Sequence, residues 1–199
     1  MGRTEQIHSA KVGMAHDPQL MCYPSMPPFS PTLGAFPELP SELCDSRHSA
    51  ANSVYVLVRN VLYYMGLDAG RFGSSTWNPL GDIITPGSTV LLKPNLVIHF
   101  SRGGTNIVPV VTHGSVIRAI LDYVYLAVGK EGEIVVGDAP LQSADFQQIV
   151  SLNGLAGIVK YYNDRLGVNL RLIDFRDSMS LLDPTGHIMV GRRQLPGDP

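Results

Sequence analysis

The sequence predicts an α/β fold: a mostly parallel, layered sheet with helical crossovers, preceded by a proline-rich N-terminal arm. Three observations carry that prediction. Apolar stretches at 89–98, 133–138 and 168–175 read as strands. Between them lie segments whose apolar residues recur every three or four positions, the period of a half-buried helix. Helices that cross over between buried strands bring each strand back in the same direction, which favours parallel pairing. Before residue 50, "CYPSMPPFSPTLGAFPELPSE" is dense in proline, which removes N–H donors and blocks helix and central strand alike.

Taken in order, residues 1–50 form the arm and 51–199 the α/β domain. "KVGMA" (11–15) reads as one short strand ahead of the prolines. Tyr23, Phe29 and Phe36 sit among the prolines, and disordered tails are poor in aromatics, so the arm is expected to wrap onto the domain. "NSVYVLVRNVLYYMG" places Val54, Leu57, Val58, Val61, Leu62 and Met65 on one helical face. Asn52 or Ser53 caps its start and Gly66 its end. A long loop with turns at Asn78-Pro79 and Pro86-Gly87 follows. "TVLLKPNLVI" carries a continuous apolar run, as expected of a strand buried on both faces.

"SVIRAILDYVYLAVG" is the clearest helix, with Ile117, Ile120, Leu121, Val124 and Val128 aligned and Gly129 ending it. "EIVVGD" is a short buried strand. "SADFQQIVSLNG" and "LAGIVKYYNDRLG" read as two short helices, with Ser143 or Asp145 at the first start and Gly154 and Gly167 at the ends. "VNLRLIDF" is the next strand and "HIMVGRRQL" the last. The closing "QLPGDP" is a turn signature, and a domain that stops there reads as truncated.

Composition narrows the function classes. The chain has 199 residues, 44% of them hydrophobic, enough for one domain with a real core. The formal net charge of -2 comes without a Lys/Arg stripe, so nucleic acid is not expected as a partner. No apolar run is long enough to span a bilayer, and the start lacks the apolar core of a signal peptide. The two cysteines, Cys22 and Cys44, cannot build a thiolate cage and favour a cytoplasmic protein with reduced thiols. No metal-ligand motif is identified. No Walker loop, dinucleotide fingerprint or Gly-x-Ser-x-Gly elbow is present, so no cofactor is identified.

In open α/β sheets ligands bind beyond the carboxyl ends of the strands. Here those ends carry Lys93-Pro94-Asn95, then Asp138, then Asp174. Two helices are expected to start at the same edge, one at Thr112-His113-Gly114-Ser115 and one at Leu141-Gln142-Ser143. Helix starts present free N–H groups and partial positive charge. Together with Lys93 and the flexible Arg102-Gly103-Gly104 loop they would cradle a small carboxylate or phosphate.

Lys93, His113 and Asp138 are the catalytic candidates. Asn95, Arg102, Gly103, Gly104, Thr112, Gln142 and Ser143 are the ligand-binding candidates. Each has a plainer reading: Lys93 as a strand-end cation in water, Asp138 as a turn residue or cap, His113 as a helix cap. The helix dipole disfavours protonated His113, and a neutral imidazole there would serve as a base or ligand.

"VLLKPNLV", "NIVPVVTHGSVIRAIL" and "EIVVGDAPLQSADF", closed by "LPGDP", resemble the domain of unknown function 362 family. Its members carry a Lys-Pro-Asn strand end, a Thr-His helix start and a Gly-Asp-(Ser/Ala)-Pro strand end in that order. The resemblance covers about residues 50–199, and the "YPSMPPFSP" arm also looks like the family's. It implies an α/β fold with no settled activity, and marks Lys93, Asn95, His113, Asp138 and Asp145 as family-typical polar residues. Similar members continue past the Pro-Gly-Asp-Pro turn. Some add a ferredoxin-like segment with four-cysteine motifs, which two cysteines cannot supply.

Two expectations result. One is an enzyme, or the N-terminal part of one, acting on a small anionic ligand, phosphorylated or sugar-linked. In it Lys93 holds an anionic oxygen, His113 moves a proton, and Asp138 orients Lys93 or binds a divalent metal. The other is a non-catalytic binding or partner domain, in which the polar strand ends are turns and caps.

Overall fold

The computed structural model describes residues 11–44, 52–101, 104, 106–196. Elements follow in the order α1 (Val54–Tyr64), β1 (Thr89–Leu92), α2 (Gly114–Val128), β2 (Glu133–Asp138), α3 (Phe146–Leu152), α4 (Leu155–Tyr161), β3 (Asn169–Asp174), β4 (Ser178–Leu182) and β5 (Met189–Gln194). β1, β2 and β3 form a three-stranded parallel sheet in that order, with β2 central. The class is mixed α/β. No helix among the described residues is long and apolar enough to cross a membrane.

Core strand β2 is buried along nearly its whole length because it has a neighbour on either side. β1 departs from expectation. It is an edge strand whose burial alternates, with Leu91 58% exposed. Its apolar run is shorter than it looks, because Pro94 cannot donate to the ladder and pairing stops at Leu92. Beyond it, Leu96 makes only an isolated antiparallel bridge to Val111. Val90, Leu92, Ile134, Val136, Leu170 and Leu172 pack into one core with the helices.

The last predicted strand is β5, but it does not join the parallel sheet. It pairs antiparallel with β4 as a separate hairpin. β4 was not expected, since "SMSLL" is short and half polar. The overlooked signal is Asp183-Pro184-Thr185-Gly186, a turn whose Asp183 carboxylate accepts the N–H groups of His187 and Ile188. Residues 11–15 likewise form no strand. They pack against α1 without regular structure, where a Cβ on Gly13 would lie 2.8 Å from the Val61 carbonyl oxygen.

The arm does wrap onto the domain. Pro28, Phe29, Ser30, Leu39 and Leu43 are buried. Fully buried Arg118 of α2 ties it down, donating to the carbonyls of Leu43 (2.7 Å) and Pro28 (3.1 Å). The same guanidinium pairs with Asp122 one turn on, at 2.8 Å. Asp122 also accepts the hydroxyls of Tyr55 and Tyr162. Burial first, and then Asp122, push both phenols well above their ordinary value, so they remain donors. Burial alone would weaken the Arg118 charge, but the Asp122 carboxylate beside it holds it protonated.

Arm residue Glu38 takes Arg59 through both oxygens, at 2.6 and 3.2 Å, and accepts Tyr123. Asn52 bonds the carbonyls of Phe29 and Ser115. Gly114 opens α2 where a Cβ would sit 2.2 Å from the Asn153 carbonyl oxygen and 2.8 Å from Phe29, so only glycine lets the three segments meet.

Candidate functional site

The carboxyl ends of β1 and β2 meet through one ion pair. Lys93 Nζ lies 2.6 Å from Asp138 Oδ1. The other oxygen, Oδ2, accepts the Leu96 N–H at 2.7 Å. Asp138 is thus fixed by the chain just past Pro94, and in turn fixes Lys93. Lys93 is 55% exposed while Asp138 is 8% exposed, so the ammonium faces outward from a buried anchor. An ammonium has three donors, and among the described residues two remain without an acceptor.

Beside it, Asn95 and Thr112 are laced together. The Thr112 N–H donates to the Asn95 carbonyl at 2.7 Å, and the Asn95 N–H donates to Thr112 Oγ1 at 3.2 Å. Among the described residues the Thr112 hydroxyl has no acceptor of its own and the Asn95 amide makes no bond. Lys93, Asn95 and Thr112, with Pro94, Ile117 and Ile120, line a cavity of about 280 Å³.

The predicted helix-start cradles are occupied by the protein's own acceptors. At α2, Asn153 accepts the Gly114 N–H (2.8 Å) and His113 Nδ1 the Ser115 N–H (3.2 Å). The third helix begins at Phe146, later than expected, and Asp145 caps it by accepting the Gln148 N–H at 3.1 Å. Burial pushes Asp145 up, but the two Gln148 donors outweigh it and hold the carboxyl below its ordinary value. Gln142 and Ser143 lie in the preceding turn, where the Gln142 carbonyl accepts the Ser180 N–H of β4.

Asp174 is paired in register with Asp138. It is engaged by Arg176, which donates to its two oxygens at 2.9 and 2.6 Å and to the carbonyls of Leu141 and Ala144. His99 Nδ1 accepts the Asp145 N–H at 2.9 Å. Gly104 bridges back to Ser101, whereas Arg102 and Gly103 lie outside the described residues.

His113 faces elsewhere. Its ring stacks on Tyr23 of the arm at 4.4 Å and tilts against Phe29. It lines a second cavity, of about 590 Å³, between the arm and α1, with Pro24, Val54, Leu57 and Asn106. Because Nδ1 accepts from the Ser115 N–H, the neutral ring carries its proton on Nε2. Burial holds its pKa below the ordinary 6.5. The folded state therefore binds fewer protons than the unfolded one just below pH 6.5, and stability is lost as pH falls through that range. An NMR titration should show His113 titrating below the ordinary 6.5, and His113→Gln should flatten the dependence of the melting temperature on pH between 7 and 5.

Two groups were not anticipated. Arg118 and Asp122 were hidden in a helix read only for its apolar face. Their signal is a charged pair four residues apart in an otherwise apolar helix. Arg176 is the second, two residues beyond the strand end at Asp174. Among the described residues no group of three His, Cys, Asp or Glu side chains is placed to hold a metal ion.

A family model described as Domain of unknown function (DUF362) matches residues 90–192. The match opens within β1 and closes within β5, and it contains Lys93, Asn95, Thr112, His113, Asp138 and Asp145. The arm and α1 fall before it. No curated protein and no solved structure matches the chain. Since the match takes in half of the sequence, and with it every strand of the core sheet, the protein belongs to the DUF362 family.

Proposed function

We propose that the chain binds a small anion, phosphorylated or carboxylated, at the carboxyl ends of β1 and β2, as an enzyme or the N-terminal part of one. A single observation carries this reading: a buried carboxylate, itself held by a backbone N–H, presents a half-exposed lysine over a cavity edged by an amide and a hydroxyl. Lys93 supplies charge, Asn95 and Thr112 supply neutral donors, and Asp138 positions Lys93. Asp138 has both oxygens engaged, which favours the positioning role over metal binding. His113 takes no part at this cavity, because its ring lines the other one.

The alternative, a non-catalytic partner domain, draws on the exposed Val12, Met14, Met21 and Met26 of the arm. Cys22 and Cys44 are unpaired, which supports a reducing, cytoplasmic setting in either case. Calorimetric titration of the full chain with inorganic phosphate and with acetate separates the two. Saturable binding that weakens with salt supports the anion site. No heat from either anion, with a cooperative melt, favours the partner domain.

A further inference from the structure

We propose that the Lys93 cavity is the head-group end of a longer site, whose ligand is an anion carrying a linear apolar tail that lies between α1 and α2. This rests on the anion reading above and names its ligand class.

The sequence periodicity of α1 calls for a buried apolar face. In the structure Leu57, Val58, Val61 and Leu62 are only half-buried. They form one wall of an open groove of about 400 Å³, and Val116 and Ile120 of α2 form the other. Its walls expose carbon almost exclusively. Ile120 also lines the Lys93 cavity, so the groove and the cavity adjoin at that side chain. Tyr23 lines both the groove and the His113 cavity, and Gly13 of the arm packs on α1 at Val61 and Met65.

Donors are therefore gathered at one end of an apolar trough. Among the described residues Lys93 has two ammonium donors to spare, Asn95 its amide and Thr112 its hydroxyl. Along the groove there is almost nothing to accept or donate a hydrogen bond. A peptide laid there would leave its backbone groups unpaired at a cost, whereas an alkyl or isoprenoid chain has none to lose. The polarity gradient fits a phosphate or carboxylate at Lys93 and hydrocarbon beyond Ile120.

The test is calorimetry on the full chain with inorganic phosphate and with hexyl, octyl and dodecyl phosphate, each below its micelle concentration, and with octanol as the uncharged control. The expected result is an affinity that rises roughly two- to fourfold per added methylene until the groove is filled. Val58→Gln, which alters the groove wall but not the Lys93 cavity, should flatten that rise and leave inorganic phosphate binding unchanged. Val61→Gln is the second groove variant, and melting curves confirm that both fold. The chain-length series itself needs no variant.

Equal affinity for inorganic and dodecyl phosphate would overturn the tail while leaving the anion site standing. Octanol binding as tightly as octyl phosphate, unaffected by Lys93→Ala, would overturn the head group and the anion reading with it. No binding of any probe would overturn both.

Discussion

Arg118→Met should lower the stability of the protein by about 3–5 kcal/mol, the cost of leaving a buried carboxylate without its partner. For a chain of this size that is a fall of about 6–20 °C in melting temperature. Asp122 sits in the core with Arg118 as its paired cation. The loss is compounded because the arm carbonyls of Pro28 and Leu43 lose their donor. The arm should loosen before the sheet does, so limited proteolysis between residues 11 and 44 should accelerate more than cleavage elsewhere. Removing both charges, as in Arg118→Met with Asp122→Leu, should recover part of the loss. Recovery stays partial, because Tyr55 and Tyr162 still need the acceptor that Asp122 supplies. A single variant as stable as the parent would show that the buried pair does not secure the arm.

Lys93→Ala should weaken phosphate binding about tenfold to a hundredfold, the loss expected for charge-assisted hydrogen bonds worth about 1.5–3 kcal/mol. Its effect on folding should be about 1 kcal/mol or less, because the lysine is half exposed and Asp138 keeps its bond to Leu96. Asp138→Asn makes the complementary case. It retains an acceptor for Leu96 and removes a negative charge beside the anion. Binding should persist in that variant, with Lys93 less firmly held. Titration calorimetry on the two variants, with melting curves as the folding control, reads both outcomes. Unfolding of Lys93→Ala would mark the residue as structural and remove the basis of the anion site.

Much of this was legible because local rules and tertiary needs agree. Helix α2 announces itself by period and strand β2 by its apolar run, and Gly129 and Asp145 end and start helices where turn chemistry demands. The Lys93–Asp138 pair follows from the rule that binding residues collect at the carboxyl ends of parallel strands. What failed depended on partners distant in sequence. Whether β1 is buried depends on how many strands flank it, which "TVLLKPN" does not encode. His113 sits beside Thr112 in sequence, yet Tyr23, ninety positions earlier, draws its ring into a different cavity. Both helix starts looked open until Asn153 and Asp145 were seen to fill them.

The bonds that fasten the arm link residues far apart along the chain: Pro28 to Arg118, Glu38 to Tyr123, Glu42 to Tyr161. Closing loops of that length costs entropy before any bond returns it, so contacts of high sequence separation form slowly. Docking of the arm is therefore expected late in folding, after α2 and α4 have created its seat. Substitutions within residues 27–44 would then leave the refolding limb of a chevron plot nearly unchanged and raise the unfolding limb. The arm in that case sets how long the native protein lasts rather than how fast it is made.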